Sequence, residues 1–256
     1  MSTTTNDVGE ILAQICVEAA ELILPLWRSG LTVHAKADES PVTEADRRGE
    51  TLILQRLAEC FPDIPVVSEE DSSEFGTPEQ IGPRFFLVDP LDGTKAFVRG
   101  DPHFTVNIGL IEDRQPVAGA VCAPPTGEVW YTAGGSAWKR TQGGAPQPVR
   151  VRTWPEGEAL ALSSHTMKPE AAQALADRYG FSRREPMDSS IKFCRIAEGA
   201  ADIYPRHGPT MEWDVAAAHA VLQAAGGSVL TDEGQPFLYG KADQGFRNGW
   251  FVARGG

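Results

Sequence analysis

The segment DPLDGT, from Asp89 to Thr94, places two carboxylates three residues apart at the end of an apolar run. Carboxylate oxygens are the ligands that hard cations such as Mg²⁺ prefer. If Gly93 and Thr94 begin a helical turn, their backbone N–H groups can also face a phosphate. Asp, Pro and Gly are common in strand-to-turn loops as well, so this segment alone leaves a purely structural reading open.

A different phosphate chemistry uses a nucleophilic aspartate in the pattern D-x-D-G-T, with one residue between the two acids. Here Pro90 and Leu91 both separate Asp89 from Asp92. In an extended chain, side chains two residues apart share a face and those three residues apart do not. The spacing therefore excludes the aspartyl-phosphate route and any covalent intermediate of that kind.

Three other acidic positions could join this segment. The pair Glu69-Glu70 follows a predicted strand, Trp213-Asp214 begins a predicted helix, and Asp46 stands three residues after Thr43. Each also has a structural interpretation when it is taken alone. Acidic pairs are common on surface turns, an Asp at a helix start is usually an N-cap, and Asp46 is in the capping-box position.

The charge balance limits the partners of this chain. Its 256 residues carry a formal net charge of −12, which argues against binding long nucleic acids or anionic membranes through a basic face. The same excess of acidic residues suits a protein that concentrates carboxylates around divalent cations. The length allows one large domain or two modest ones.

The cysteines and the first residues of the sequence indicate the cellular compartment in which the protein is expected. The four cysteines are far apart, with no CxxC pair, so zinc ribbons and redox dithiols are not expected. Each lies in an apolar context that predicts a small buried side chain in a reducing compartment. The polar first residues and the lack of an apolar run of ~20 residues predict a cytoplasmic protein without a transmembrane segment.

Hydrophobic periodicity predicts the elements that position these acids. One helix is expected over about residues 8–27, where Pro25 would kink or end it, and a second over Glu44–Cys60 with Thr43 as its cap. Strands are then expected, including a hairpin joined by DRQP, up to the turn-rich segment TQGGAPQP. The predicted strands of this half are residues 64–68, 84–89, 104–113, 116–124, 129–132 and 137–140.

The second half alternates strands and helices, which is typical of an α/β arrangement. Its predicted strands are residues 159–164, 201–204, 228–230 and 250–253, and its predicted helices are Pro169–Tyr179, 189–198 and 215–225. The fold class is therefore α/β, with an α+β N-terminal half and an α/β C-terminal half. We expect residues 1–145 to carry most metal ligands and residues 146–256 to carry Asp214 and the substrate-binding segments, within one compact catalytic unit.

Taken together, these motifs resemble the inositol monophosphatase superfamily of lithium-sensitive phosphatases. Its signature is an acidic pair, then DP[IL]DGT, then WD followed eleven residues later by GG, here Trp213-Asp214 and Gly226-Gly227. The motifs occur in order over nearly the whole chain. The resemblance implies a layered αβαβα sandwich and a Mg²⁺-dependent phosphomonoesterase.

Within that superfamily the chain is most similar to the CysQ-type 3′(2′),5′-bisphosphate nucleotidases. The similarity lies in SPVTEAD (residues 40–46), VVSEE (66–70), SSIKFCRIAEGAADIYPR (189–206) and GPTMEWD (208–214). It implies hydrolysis of the 3′(2′)-phosphate of adenosine 3′,5′-bisphosphate, or its sulfated form, to release phosphate. The expected role is clearing the by-product of sulfotransfer and sulfate reduction, with inhibition by lithium.

Two other functions stay open. A phosphatase acting on inositol phosphate or histidinol phosphate would share all of the metal-binding residues, and a non-catalytic metal-binding protein is a more remote alternative. A homodimer, and peripheral association with the inner face of the inner membrane, are also left open by the sequence.

The resemblance assigns roles to individual residues around two or three Mg²⁺ ions. Metal ligands are expected at Glu69, Glu70, Asp89, the carbonyl of Leu91, Asp92 and Asp214, with Glu70 the least certain. Asp46 and Thr94, together with Glu69, are the expected catalytic residues, and the first two orient the attacking water. Substrate contacts are expected from Glu69, Leu91, Asp92, Gly93, Thr94, Ser190, Lys192, Arg206 and Asp214.

The sequence gives a less specific signal for the side chains that would recognise a small nucleotide substrate. Lys192 and Arg206 could bind a second phosphate, although both could equally be solvated surface charges. His207 could contact a nucleoside, but a histidine in a surface loop is the simpler interpretation. Tyr204 is expected in the core of a sheet.

Overall fold

The computed structural model describes residues 5–29, 33–35, 41–165 and 167–256. The predicted Thr43 cap and the Ser40 end of SPVTEAD concern side chains outside this description. In the described residues the α-helices are α1 Thr5–Ser29, α2 Glu44–Cys60, α3 Glu69–Phe75, α4 Thr94–Arg99, α5 Pro169–Tyr179, α6 Ile191–Ala197 and α7 Ala216–Ala224. Short 3₁₀ turns cover Glu212–Asp214 and Ala242–Gln244.

Two sheets form the framework, beside a small ladder of β1 Val33–Ala35 with β2 Pro41–Thr43. The larger sheet runs in the order β3-β4-β5-β6-β7-β8-β9 and the smaller in the order β11-β10-β12-β14-β13. The larger sheet contains β3 Val66–Ser68, β4 Arg84–Asp92, β5 Thr105–Glu112, β6 Gln115–Ala123, β7 Glu128–Ala133, β8 Ser136–Thr141 and β9 Gln147–Val149. The smaller contains β10 Leu160–Ser163, β11 Arg183–Pro186, β12 Ile203–Arg206, β13 Ser228–Thr231 and β14 Phe251–Arg254.

The larger sheet is buried on both faces, because alternate side chains of its strands pack into two different hydrophobic cores. Along β4, Phe86 and Val88 pack with α1 and α2, whereas the alternate residues Phe85 and Leu87 pack toward α6, α7 and the smaller sheet. The far face of the smaller sheet packs on α5 through Leu175. Because side chains alternate along a strand, one apolar run supplies two cores. The expected αβαβα order of layers is confirmed.

Helix α1 differs from the expectation at its end. It continues through Pro25 to Ser29, so proline does not terminate it. The helix buries Leu12, Ile15 and Ile23 against the sheet, and this packing compensates for a lost backbone hydrogen bond. Among the described helices, none is long and apolar enough to cross a membrane.

The prediction of four buried cysteines is wrong at one position. Cys16, Cys122 and Cys194 are buried, but Cys60 is exposed. Cys60 is the last residue of α2, and the buried face of that helix is formed by residues such as Ile53 and Leu57. The position on the helix, rather than the local apolar character, decides its exposure.

Helix α7 lies unusually close to the larger sheet. A Cβ atom placed on Gly109 of β5 would come within 2.8 Å of the backbone nitrogen of Ala217, and Gly119 of β6 faces the same residue. Glycine at these two positions lets helix and sheet backbones approach each other. The approach fixes the start of α7, and Asp214 with it, beside the end of β4. The division at residues 145 and 146 stays a prediction.

Candidate active site

Strand β4 brings Asp89 and Asp92 into the site. The strand pairs with β5, and the register shifts between Asp89 and Asp92, so Pro90 lies at an irregularity where no ladder donor is required. The Leu91 N–H donates to Asp89 Oδ1 at 2.9 Å. This local bond orients a carboxylate that is only 1% exposed.

Gly93 makes the turn from β4 into α4. Its φ of 95° lies in the left-handed region, where a side chain is strained. A Cβ atom at this position would also come within 2.8 Å of the His103 carbonyl oxygen. Both the positive φ and the close His103 carbonyl therefore require glycine at this position. Thr94 begins α4 directly after it.

Two further carboxylates arrive from separate elements. Glu69 is the first residue of α3, and Asp214 closes the 3₁₀ turn before α7. Asp214 Oδ2 accepts a hydrogen bond from the Met211 N–H at 2.8 Å. Asp214 is thus the third residue of the turn and bonds back to its N-cap Met211, whereas the expected N-cap role at the start of a helix is not observed, since Val215 is the N-cap of α7.

These elements meet at a cavity of about 990 Å³. Its wall contains nearly every residue for which the sequence predicted a metal or substrate contact. The predicted residues that line it are Glu69, Asp89, Leu91, Asp92, Gly93, Thr94, Ser190, Lys192, Arg206 and Asp214. Residues as far apart in the sequence as Glu69 and Asp214 thus line one pocket.

The carboxylates in this pocket are held in an environment that disfavours their charge. Burial and the neighbouring charges of Glu69, Asp92 and Asp214 raise the pKa of Asp89 well above its ordinary value. The pKa of Asp214 is raised in the same way, by burial and then by Asp92 and Glu69. Burial also raises the pKa of Asp92 to about 6, against the opposing charge of Lys192. Buried like charges of this kind call for a compensating cation.

The donor chemistry fits Mg²⁺, which takes oxygen ligands. Glu69, Asp89, Asp92 and Asp214 supply carboxylate oxygens to the cavity. Among the described residues, no three of these four carboxylates bring oxygens within 4.8 Å of one another. Holding one ion between three of them therefore requires rotation about their side-chain bonds.

Asp46 and Thr94 form the predicted pair. Thr94 Oγ1 lies 3.3 Å from Asp46 Oδ1 and 3.2 Å from the Leu91 carbonyl oxygen. Asp46 is buried behind Thr94 and is not part of the cavity wall. The hydroxyl carries one hydrogen, so donating it to Asp46 leaves an oxygen lone pair free to accept a hydrogen bond from a water molecule.

Two basic side chains, Lys192 and Arg206, also line the cavity. Lys192 is 4% exposed, and its Nζ donates to the carbonyl oxygens of Met187 and Ser189 and lies 4.8 Å from the centre of the Tyr204 ring. Burial lowers the pKa of Lys192 to about 8, although Asp92 opposes this shift. Arg206 donates to the Pro209 carbonyl, and its buried Nε has no hydrogen-bond partner within the described chain. The interpretation of Lys192 as a solvated surface charge is therefore wrong.

Two predicted contacts are not at the cavity. Glu70 does not line it, and the Glu70 backbone N–H donates to Glu50 Oε2 at 3.0 Å. His207 also lies outside, where it stacks on Trp250 with ring centres 4.5 Å apart. Tyr204, by contrast, lines the cavity, and it is also buried among Phe193 and Phe251, as expected for the core of a sheet.

Ser190 lines the cavity, but its polar groups are already engaged. Its N–H donates to Asp92 Oδ2 at 2.5 Å, and its hydroxyl donates to Asn107 Oδ1 at 2.7 Å. Thr105 Oγ1 lies 2.9 Å from the same hydroxyl. The N–H contact orients Asp92, whereas the hydroxyl is engaged by Asn107 and Thr105.

Sequence reasoning missed several groups at the cavity. Lys95 and Arg247 line it, and neither belongs to a motif that distinguishes a functional cation from a surface one. At its rim, Asp101, His103 and His165 bring three ligand atoms within 4.8 Å of one another. Arg99 lies 2.7 Å from Asp188 and 3.9 Å from Asp101, so the charges of this rim are already largely compensated.

Comparison with known proteins gives a consistent result. Residues 5–250 match the model of the inositol monophosphatase family. A protein of Salmonella typhimurium named 3′(2′),5′-bisphosphate nucleotidase CysQ is 40% identical over 90% of this chain and 93% of its own length. A histidinol-phosphatase of Mycobacterium tuberculosis is 34% identical over 80% of this chain and 79% of its own length.

A solved structure extends the similarity to three dimensions. The crystal structure of CysQ from Bacteroides thetaiotaomicron superposes with a TM-score of 0.77 at 30% identity, covering 98% of this chain and 97% of that one. An inositol monophosphatase from Zymomonas mobilis superposes with a TM-score of 0.78 at 24% identity, over 98% of this chain and 94% of that one, which shows the common fold.

Proposed function

The chain belongs to the inositol monophosphatase family, and on that premise we propose that it hydrolyses the 3′(2′)-phosphate of adenosine 3′,5′-bisphosphate or its sulfated form. The observation that carries this proposal is the composition of the cavity. Its wall contains acidic residues, Glu69, Asp89, Asp92 and Asp214 among them, together with Thr94 and the basic residues Lys192 and Arg206. A substrate with two phosphates needs cationic side chains for the phosphate that the metal ions do not hold.

Magnesium ions bound by these carboxylates would supply Lewis acidity at the phosphoryl oxygens and lower the pKa of an attacking water. We assign Glu69, Asp89 and the Leu91 carbonyl to one ion, and Asp89, Asp92 and Asp214 to a second. Asp89 is central because its pKa responds to the charges of all three other acids. The Ser190 N–H keeps Asp92 oriented toward the cavity.

Thr94 would hold the water in line with the scissile bond. With its hydrogen donated to Asp46, the Thr94 oxygen accepts a hydrogen bond from that water and orients its nucleophilic lone pair. No side chain needs to attack phosphorus. A chiral-phosphate substrate should therefore give inversion at phosphorus, and retention would contradict this mechanism.

The second phosphate would be bound by cationic donors. Arg206 offers a guanidinium whose buried Nε lacks a hydrogen-bond partner within the described chain. Hydrogen bonds between a guanidinium and a phosphate are charge-assisted and therefore strong. Lys192 has two bonds to carbonyl oxygens, which leaves one of its three N–H donors for the cavity.

The relatives support the same substrate, since a protein named bisphosphate nucleotidase is 40% identical to this chain. The relative named histidinol-phosphatase, at 34% identity, keeps histidinol phosphate as a second candidate. Inositol phosphate stays a third on the basis of the family, and a non-catalytic role a remote fourth. A cytoplasmic location, lithium inhibition and a role in sulfur metabolism stay predictions of the resemblance.

The direct test is product analysis. The protein is incubated with adenosine 3′,5′-bisphosphate and Mg²⁺ in ¹⁸O-labelled water, and the products are separated by chromatography against 5′-AMP and 3′-AMP standards and identified by mass spectrometry. We expect AMP, with one ¹⁸O atom in the released phosphate. Absence of phosphate release would contradict the proposed function, and release of the 5′-phosphate would contradict the assigned regiochemistry.

A further inference from the structure

Glu50 is a buried carboxylate that the catalytic scheme above does not use. It lies on α2, four residues after Asp46, so both side chains project from the same face of the helix. Glu50 is 3% exposed and does not line the cavity. A carboxylate is costly to bury unless it is well hydrogen-bonded, so its partners explain its presence.

The partners of Glu50 lie at the start of α3. Its Oε2 accepts the Glu70 N–H at 3.0 Å, and its Oε1 accepts the Asp71 N–H at 3.0 Å. The Ser68 hydroxyl donates to Oε1 as well. The first N–H groups of a helix have no partner within the helix, and an N-cap side chain normally satisfies them.

Ser68 occupies the N-cap position of α3 but makes no capping bond with its own side chain. Its hydroxyl turns toward Glu50 instead, and Glu50 accepts the bonds from the helix. The cap is thus supplied by a different helix, α2. This arrangement ties the beginning of α3 to a long and well-packed element.

Helix α3 needs such a tie. It has seven residues and none of them is buried, so apolar packing does little to fix its orientation. Isolated helices of this length are not stable in water. Yet its first residue is Glu69, and the position of the α3 backbone decides whether the Glu69 carboxylate reaches an ion in the cavity.

We propose that Glu50 is a positioning residue that fixes the ligand Glu69 by capping α3 from α2, an inference that rests on the metal role proposed for Glu69. Asp46 holds Thr94 from the same face of α2. One rigid helix therefore sets the distance between the group that orients water and a carboxylate that binds the ion.

The test is the substitution Glu50→Gln, which keeps the shape but replaces one accepting oxygen with an amide group that cannot accept a hydrogen bond. Mn²⁺ binding is measured by electron paramagnetic resonance of the free ion, without substrate. Groups that orient a metal ligand are typically worth 10- to 100-fold in metal affinity. We expect Glu50→Gln to weaken Mn²⁺ binding about 10-fold or more, on that scale. Glu44→Gln is the matched control, because Glu44 lies on the same helix but is exposed and paired with Arg48.

A kinetic measurement separates positioning from simple loss of folded protein. In Glu50→Gln the Mg²⁺ concentration for half-maximal phosphate release should rise, and excess Mg²⁺ should restore most of the turnover. A smaller folded fraction would lower turnover without moving that concentration. Wild-type Mn²⁺ affinity in a folded Glu50→Gln protein would overturn the proposal.

If Glu50→Gln does not fold, Ser68→Ala decides the question. It removes one of the three donors to Glu50 and leaves both N–H bonds, so we expect a fall in Mn²⁺ affinity of a few-fold, on the scale of one hydrogen bond. Unchanged affinity would then overturn the proposal. If the wild-type protein bound no Mn²⁺, the proposed metal site would fail instead, which is a distinguishable result.

Discussion

Thr94 Oγ1 lies 3.3 Å from Asp46 Oδ1, although 48 residues separate them in the sequence. Asp46 comes from α2 and Thr94 from the start of α4, and Gly93 allows that start by adopting a positive φ. The pair lies beside a cavity lined by the four predicted carboxylates Glu69, Asp89, Asp92 and Asp214. In the proposed function this pair orients the attacking water, a role that a site binding only metal would not need.

Replacing Thr94 with Ala should lower kcat about 100-fold, the scale of a lost proton-accepting or water-orienting group. The Mg²⁺ requirement should change little, because Thr94 is not an assigned ligand through its side chain. Thr94→Ser should retain most activity, and Thr51→Ala, in the exposed part of α2, should be normal. Wild-type turnover in Thr94→Ala would contradict the role of the pair.

Replacing Asp89 with Asn should reduce phosphate release to near background. Asp89 is the carboxylate assigned to both ions, and loss of metal Lewis acidity removes several kcal/mol of transition-state stabilisation, or roughly 1,000-fold in rate. The measurement is kcat over a range of Mg²⁺ concentrations. Asp113→Asn, at an exposed turn with positive φ that Asn tolerates, is the control. Near-normal turnover at any Mg²⁺ level would contradict the two-ion assignment.

Replacing Arg206 with Ala should raise the KM for adenosine 3′,5′-bisphosphate by about 10- to 100-fold, the scale of hydrogen bonds to a charged group. Hydrolysis of a substrate with a single phosphate should be affected much less. Arg183→Ala, at an exposed position in β11, should leave both substrates unchanged. An equal loss on both substrates would show that Arg206 does not recognise the second phosphate.

Stability should depend on pH through Glu128. Burial alone would raise its pKa, but hydrogen bonds from Arg195, Lys139 and Thr126 outweigh it and lower the pKa to about 2. A carboxylate with a lowered pKa stabilises the folded state fully above its unfolded-state pKa, and that contribution disappears as the pH falls toward about 2. Glu128→Gln should therefore cost about 2 kcal/mol at pH 7, on the scale of hydrogen bonds to a charge.

Urea unfolding of wild-type and Glu128→Gln protein measures this difference. The difference in unfolding free energy between the two proteins should become steadily smaller as the pH falls below the ordinary glutamate pKa of 4.5. The exposed Glu185→Gln provides a control with little effect at any pH. A difference between wild type and Glu128→Gln that stays constant down to acid would show that the carboxylate charge is not what stabilises the fold.

The parts of the fold that the sequence predicts are those with a clear burial pattern. Helix α2 is observed over Glu44–Cys60, as its apolar spacing indicates, and the β5–β6 hairpin lies where the DRQP turn places it. Three missed elements lack such a pattern. Strand β11 is exposed along its length, β9 is a short edge strand beside prolines, and α3 buries no residue.

The sequence predicts those cavity residues that belong to short sequence motifs. DPLDGT and the Trp213-Asp214 pair each have a structural interpretation when taken alone, and it is their combination with Glu69-Glu70 that resembles the family pattern and predicts carboxylates at one cavity. The environment of Lys192 was not predictable, since its burial depends on carbonyl groups of the preceding loop and on Tyr204. Glu50 carried a weak signal, its four-residue spacing from Asp46, but its partners on α3 emerge only in three dimensions.

The substrate profile tests the central claim most directly. Values of kcat/KM are compared for adenosine 3′,5′-bisphosphate, inositol 1-phosphate and histidinol phosphate, each with Mg²⁺ and with a chelator. We predict Mg²⁺-dependent hydrolysis with the nucleotide preferred by at least about 10-fold, as expected for charge-assisted bonds to a second phosphate. A preference for either of the other two substrates, or phosphate release that survives removal of the metal, would contradict it.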